Sequence, residues 1–501
     1  MRPFTTVESE SLRAFVHEAE PMYRFPNAAT VSEQIIPAWY TKVKDQLQTE
    51  LNEASFVAVT SDAWTSRRTE SYSTFTAHYI HDNCLKARVL DTHILKGSHT
   101  GENLAKDMES TLTAWQLRDK LCGITTDNAA NIVLGCRLLK ETVPNIIHIP
   151  CFAHTLNLAA QRGNETLEPA THAIKPIITY FHHSTIGKQV LREKQIALDL
   201  PVHDLITECP TRWNSGYLAK KRFMEQRPAI LAAILDPRLA NKKDTPDLSD
   251  EHVVMIKEYL RIMEDLYEAT LLMSSERMPT AGLILPLITK LLQTFSPTPD
   301  DSTFVTKLKA ALRKDLSSRY KQKEILQFLE EASALDPRTK RKQCIGPDTW
   351  ERLEKAVSEI IDTEDADKTE NEDEDEARLN EPPHKKMKMY SLLEDEDDEN
   401  EVDGQSPFPD QIATQEIESY RKEPRLAYND DPVQYWTKKS SLKNLSKLAQ
   451  KYLVAQATSV PSERVFSTAG DIISAQRSCL SEDSAGTLIF LKKNLSQPME
   501  I

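Results

Sequence analysis

The chain has 501 residues, 40% hydrophobic and 28% charged, with a net charge of −14. That length exceeds one compact core, so two or three domains, or one domain carrying a large insertion, are expected. No apolar stretch approaches the roughly 20 residues of a bilayer-spanning helix, and Met1-Arg2-Pro3-Phe4 opens no apolar signal core, so the expectation is a soluble, intracellular protein.

Seven cysteines (Cys84, Cys122, Cys136, Cys151, Cys209, Cys344, Cys479) are scattered without the spacing of a disulfide framework, which suits reduced thiols in cytosol or nucleus. The negative charge is concentrated in one place. Residues 361–410 hold 20 Asp and Glu against 5 Lys and Arg, net −15, so the rest of the chain sums to +1. An evenly acidic protein would repel nucleic acid, whereas a near-neutral body has room for a basic face.

In chain order, residues 54–66 rise as an apolar run into Asp62. Residues 72–80 alternate and are rich in β-branched and aromatic types, the pattern of a strand, and 87–95 is read as another. The chain turns at 97–102, where Thr100 is placed to cap a helix with apolar positions Leu104, Met108, Leu112 and Trp115. A fourth strand over 121–126 delivers Asp127, a helix follows over 129–141, and a strand over 146–149. Three strands, helix, strand, helix, strand predicts a mixed α/β sheet with a meander at its start.

From 160 to 360 the pattern is helical, with long segments at 251–272 and 307–331. Leu-Asp-Pro-Arg occurs at 235–238 and again at 335–338; the flanks differ, and Asp-Pro pairs commonly stop helices, so the repeat is read as coincidence. The acidic window 361–410 is expected to be disordered, because it would bury too little to offset its self-repulsion. Inside it, Pro382-Pro383-His384-Lys385-Lys386-Met387-Lys388-Met389 is a basic island that a nuclear import receptor could read or that is a plain solvated linker. Helices are predicted beyond it at 432–436, 442–453, 462–467 and 484–494.

Three segments carry the chemistry: Ser61-Asp62-Ala63-Trp64, Thr126-Asp127-Asn128-Ala129 and Ser462-Glu463-Arg464-Val465. Aspartates at the ends of apolar strands repel one another unless a cation neutralises them, and a pair of Mg2+ (or Mn2+) ions on Asp62, Asp127 and Glu463 would suit phosphoryl transfer on nucleic acid. Taken singly, each Asp reads first as a strand-end cap or turn residue. Cys151 and His154 form a Cys-x-x-His pair, but a structural zinc site needs four ligands and no partner pair stands at a suitable spacing.

Thr60-Ser61-Asp62-Ala63-Trp64-Thr65-Ser66, residues 125–131, Cys151-Phe152-Ala153-His154-Thr155-Leu156-Asn157-Leu158, Thr211-Arg212-Trp213-Asn214-Ser215, Ser274-Ser275-Glu276-Arg277-Met278-Pro279-Thr280 and 431–495, in that order, resemble the hAT family of cut-and-paste transposases and their domesticated zinc-finger BED relatives. The resemblance implies a ribonuclease H-like α/β core interrupted by a large all-helical insertion, with Asp62, Asp127 and Glu463 as an Asp-Asp-Glu catalytic and metal-holding triad. It implies that His154 and Arg212 lie where DNA is handled and that Trp213 stacks on a flipped base, a core tryptophan being the plainer alternative. It implies homodimerisation through a C-terminal region with apolar residues such as Trp436, Leu453, Phe466, Ile489 and Leu491.

Laid on the elements above, it divides the chain into a helical leader (1–52), the first part of the core (53–160), the insertion (161–360), a disordered acidic linker (361–410) and a dimerisation region completing the core (411–501). Family members usually carry a BED zinc finger before the region matched here, whereas this sequence has no Cys-x-x-Cys. The expectation is therefore a truncated chain or one that lost its DNA reader, without a zinc site. Three functions remain open: a nuclear, homodimeric, domesticated transcription or chromatin regulator, an active metal-dependent transposase, or an interaction protein whose acidic linker recruits partners.

Overall fold

The computed structural model describes residues 4–65, 70–209, 212–239, 248–376, 408–472 and 482–495. Five strands form one mixed sheet: β1 (Val57–Thr65), β2 (Ser71–His81), β3 (Cys84–Ile94), β4 (Leu121–Thr126) and β5 (Ile147–Pro150), in the order β3-β2-β1-β4-β5. The first three are an antiparallel meander, and β4 and β5 run parallel to β1. Asp82 and Asn83 close the β2–β3 hairpin with φ of 49° and 58°, the left-handed pair that a two-residue turn demands and that short polar side chains tolerate. Thr100 caps the crossover helix Gly101–Ala114 by accepting from the Asn103 amide at 3.3 Å.

Both faces of the sheet are covered, which is why β1 and β2 read as near-continuous apolar or small-residue runs. Val57, Val59, Phe75, Ala77 and Ile124 pack on one side against the helices Ile36–Glu53, Gly101–Ala114 and Ala130–Thr142. Ala58, Cys122 and Ile149 face the other side, where the apolar core continues into the insertion helices and on to the C-terminal region. Two buried polar pairs lie within the sheet, Thr74 with Thr92 at 3.2 Å and Thr60 with His78 at 3.2 Å, while His78 Nδ1 and Trp64 Nε1 have no hydrogen-bond partner among the described residues.

The insertion is helical, as expected, but the segment anticipated at 307–331 is two helices, Thr303–Leu316 and Lys323–Leu335. Between them Tyr320 takes φ 53°, and its hydroxyl, buried below the surface, donates to the Pro150 carbonyl at 2.7 Å. A contact 170 residues away in sequence breaks a pattern that local periodicity carries straight through.

The two Leu-Asp-Pro-Arg tetrapeptides fold alike. At each, the aspartate Oδ1 accepts from the backbone amide and the Nε of the arginine two residues on, at 3.1 and 2.9 Å for Asp236 and 3.0 and 2.9 Å for Asp336. Each turn ends a long helix, because the proline cannot continue it and the carboxylate binds the backbone beyond. Their surroundings differ. Asp336 and Arg338 are 1% and 3% exposed, whereas Arg238 is 46% exposed and shares its charge with Glu193.

The acidic window departs from expectation at both ends. Residues 361–376 continue the helix Pro347–Glu376, and Pro409–Lys422 forms another; residues 377–407, with the Lys385–Lys388 cluster, lie outside the described residues.

The C-terminal segment returns to the sheet. The helix Glu482–Asn494 lies along β3, where the Asn494 amide accepts from the Val89 N–H at 3.1 Å and donates to its carbonyl at 2.7 Å, standing in for a neighbouring strand on the sheet edge. Gly486 permits this approach, since a Cβ there would come within 2.6 Å of the Thr92 carbonyl oxygen. Phe490 enters the core beside Tyr40 and Trp115.

The apolar residues anticipated at a dimer face are used inside one chain. Trp436, Leu453, Ile489 and Leu491 are buried, the Trp436 indole donates to the Leu335 carbonyl at 2.9 Å, and the half-buried Phe466 ring lies against Trp64.

Candidate active site

β1 pairs with β4 only from Val57 to Thr60, the last pair being Thr60 with Thr125. Two residues further on stand Asp62 and Asp127, at the same level on adjacent strand ends, where the strands part and leave a cleft. Ser61, Asp62, Asp107, Thr126, Asp127 and Asn131 line it. Asp62 Oδ1 accepts from the Ala63 amide at 2.9 Å, and Asp127 Oδ1 from the Ala129 amide at 3.1 Å, which sets the chain up for the helix Ala130–Thr142.

Glu463 arrives from about 400 residues away on the helix Val460–Ile472, and its neighbours explain how. The Thr125 hydroxyl donates to the Gln456 carbonyl at 2.6 Å, and the Phe152 amide to the Ala457 carbonyl at 2.8 Å. Ser459 N–H then bonds the Cys151 sulfur at 3.4 Å. Finally the fully buried Ser462 hydroxyl sits 2.9 Å from the Thr60 hydroxyl and donates to the Thr60 carbonyl at 3.1 Å. The strand end that carries Asp62 thus holds the residue next to Glu463.

Asp62 and Glu463 feel their acidic neighbours. Burial, then Glu463, then Asp127 push the Asp62 carboxyl well above its ordinary range. Glu463 is raised by burial and by Asp127, against the opposing pull of the Arg212 and Arg464 cations. Among the described residues no three His, Cys, Asp or Glu side chains stand close enough together to hold a metal ion as they are. By chemistry the set fits a hard divalent cation, having oxygen donors only and a mutual repulsion that a cation would relieve.

The residues expected to handle DNA divide. His154 is half-buried beside the cleft; burial lowers its pKa below 6.5, with Asp127 opposing and Arg319 adding to the fall. Arg212 begins the helix Trp213–Ile234 and is near enough to Glu463 to draw its carboxyl down. Trp213 is buried, 5% exposed, with its ring among Tyr217 and Tyr267. Cys151 is fully buried with its thiol pushed up to about 11 by burial, and it serves as an acceptor for the Ser459 amide.

Two further groups at the cleft escaped the sequence reading. His148 bonds the Thr126 hydroxyl at 2.9 Å, and burial holds it near pKa 4, hence neutral, despite Asp127. Asp107 is held by His93 Nε2 at 2.6 Å, and His93 Nδ1 in turn bonds Asp91 at 2.9 Å. The signal for Asp107 was present: it falls between Leu104 and Thr111 on the buried stripe of its helix, where an acid is out of place.

Residues 60–149 match the ZBED1 RNase-like domain, 149–259 the ZBED1 RNase-like helical domain and 416–495 the hAT family C-terminal dimerisation region. The chain is an hAT transposase relative. It is 26% identical over 99% of its length to the human zinc finger BED domain-containing protein 4, covering 42% of that protein. It is 25% identical over 98% of its length to the putative AC transposase of Zea mays, covering 63% of it. A putative transcriptional regulator tpeD of Talaromyces stipitatus is 26% identical over 43% of the chain, which covers 30% of that protein. This hAT relative therefore spans about half the length of the curated proteins it matches, and among its described residues no helix is long and apolar enough to cross a membrane.

Proposed function

We propose that this hAT relative works in the nucleus as a homodimer that binds DNA or chromatin and regulates transcription without moving DNA. The observation that carries this reading is Trp213, the aromatic face that hairpin formation would need, which is enclosed by Tyr217 and Tyr267 in the core. Relatives of both kinds exist by name, transposases and a transcriptional regulator. The dimerisation region supports association of two copies.

A second reading, an active metal-dependent transposase, is favoured by the electrostatic coupling of the Asp62 carboxyl to those of Glu463 and Asp127. When bound there, Mg2+ or Mn2+ would activate water or a 3′-hydroxyl and stabilise the charge that develops on phosphorus. Asp62, Asp127 and Glu463 would hold it, and Ser462 would keep Glu463 in reach. The domains given above, 1–52, 53–160, 161–360, 361–410 and 411–501, are proposed with this reading, as is import into the nucleus through Lys385–Lys388.

A hairpin-forming and strand-transfer assay with purified protein in Mg2+ or Mn2+ tests the choice. The regulator reading expects no cleavage. Cleavage that disappears in Asp127→Ala overturns it in favour of the transposase.

A further inference from the structure

Past the buried Leu-Asp-Pro-Arg turn the chain reads Thr339-Lys340-Arg341-Lys342, and a distant stretch reads Arg421-Lys422-Glu423-Pro424-Arg425, in a protein whose net charge is −14. The fold puts the two basic stretches together. The Leu426 N–H donates to the Pro337 carbonyl at 3.1 Å, and Arg341 Nη2 donates to the Lys422 and Glu423 carbonyls at 3.2 and 2.8 Å, closing the C-terminal end of the helix Pro409–Lys422. Arg341 thus spends its bonds on carbonyls, not on a carboxylate. Lys340 is buried beneath, donating to the Tyr420 carbonyl at 2.6 Å. Burial brings its ammonium down to about 8; Glu423 opposes the fall, and the neighbouring Arg341 and Lys439 cations add to it.

An aromatic ring stands among these cations. Tyr428 is 49% exposed, with Lys342 Nζ at 5.7 Å and the Arg425 guanidinium at 5.9 Å from its ring centre, and Arg425 Nη1 donates to its hydroxyl at 3.5 Å. Among the described residues, Lys342, Arg421 and Arg425 have no carboxylate within ion-pair distance; Arg421 lies over the Trp350 ring at 4.9 Å. Nearby acids are engaged elsewhere: Glu423 with Lys439 at 2.7 Å, Glu418 with Lys422 at 3.0 Å and Asp431 with the Val433 amide at 2.8 Å. Exposed Asp430 stands against the four charges of Arg341, Lys342, Arg421 and Arg425. Cations without carboxylates suit a chain of phosphates. The ring decides which nucleic acid: duplex bases are already stacked on one another, whereas an unpaired base offers its face to an aromatic side chain. The patch lies at one end of the helix Lys323–Leu335, about 20 Å long, whose other end follows Arg319 and Tyr320 near the cleft.

We infer that Tyr428, with Lys342, Arg421 and Arg425 around it, is a platform for single-stranded DNA, separate from the carboxylate cleft. It rests on the reading that the chain acts on DNA, and it gives that reading a contact that depends on unpaired bases. The cations take phosphates and the ring takes one base, so binding tolerates any sequence and weakens with salt.

Fluorescence anisotropy of the full chain tests it, with an oligothymidine of about 12 nucleotides and, separately, a duplex of arbitrary sequence, from about 50 to 200 mM salt. Tyr428→Ala lowers oligothymidine affinity roughly 5- to 160-fold, the loss of one stacked base, and Tyr428→Phe keeps it. Lys342→Gln/Arg425→Gln removes two phosphate contacts and lowers the log–log salt slope by about 1.4, so the fourfold rise in salt costs this variant about 7-fold less affinity than it costs the wild type. Unchanged thermal unfolding of the variants shows that the fold is intact. Unchanged oligothymidine affinity in Tyr428→Ala, or a wild type that binds the duplex and not the oligothymidine, overturns this assignment and leaves the DNA-acting reading standing. Binding of neither by wild type at the lowest salt overturns both. If the Gln variant instead loses affinity for a polyglutamate peptide while oligothymidine binding is unmoved, the surface belongs to an acidic protein and the assignment fails.

Discussion

The paired Leu-Asp-Pro-Arg turns offer an internal control for what burial does to an ion pair. Asp336→Ala removes three hydrogen bonds from the Arg338 side chain, at 2.6 to 3.2 Å, and leaves it only the Pro279 carbonyl at 2.6 Å. With the guanidinium 3% exposed, that uncompensated charge costs roughly 3–5 kcal/mol. In a urea titration followed by tryptophan fluorescence this is a midpoint shift of roughly 1–2 M. Hydrogen exchange over 325–340 gives the local readout. Asp236→Ala in the twin turn also removes the partner of Lys194 at 2.9 Å, but Arg238 is half open to water and keeps Glu193 and Lys194 is 31% exposed, so the midpoint should move far less. The double variant Asp336→Leu/Arg338→Met, which removes both charges, should recover most of the loss. Equal shifts for the two Asp→Ala variants would refute the reasoning, since the turn geometry is shared while the exposure of the cations and their other partners differ.

Three other outcomes follow from the same structure. Leu453→Ala should cost roughly 2–5 kcal/mol of chain stability at every protein concentration, because the side chain is buried within one copy; sedimentation showing a stably folded monomer that merely fails to associate would restore Leu453 to the dimer face. Ser462→Ala should cost roughly 0.5–1.5 kcal/mol, by removing the bonds to the Thr60 hydroxyl and carbonyl while the Thr60 hydroxyl keeps His78, and should weaken Mg2+ or Mn2+ binding measured by calorimetry; intact metal affinity would show that Glu463 is placed by something else. His93, despite burial that opposes its charge, is raised to about 10 by its hydrogen bonds to Asp107 and Asp91. Its contribution is therefore fully present below about pH 6.5 and lost as pH rises through about 10, so the stability gap between wild type and His93→Gln should close over that window. A gap independent of pH would mean that His93 acts by packing alone.

Much of the fold was legible in the sequence, because it rests on local patterns that one segment carries by itself. Alternation over 72–80, the Thr100 cap with its 3.6-residue stripe, and the apolar runs that end in Asp62 and Asp127 each name an element, and their order names the sheet. Glu463 was legible only through its resemblance, since no local rule ties a helix near residue 460 to a strand near residue 60.

Tertiary contact decided the rest. Tyr320 reaches Pro150 and splits a helix whose periodicity runs on unbroken. Trp213, Trp436 and Leu453 have the same composition whether they face DNA, a second copy or the core, and only the neighbours packed on them say which. The two Leu-Asp-Pro-Arg turns make the division plain. Their shared sequence determined one hydrogen-bonded geometry, because those bonds close within four residues. Whether water reaches the charges, and so how much stability depends on them, was set by the elements folded over each turn, which the tetrapeptide does not encode.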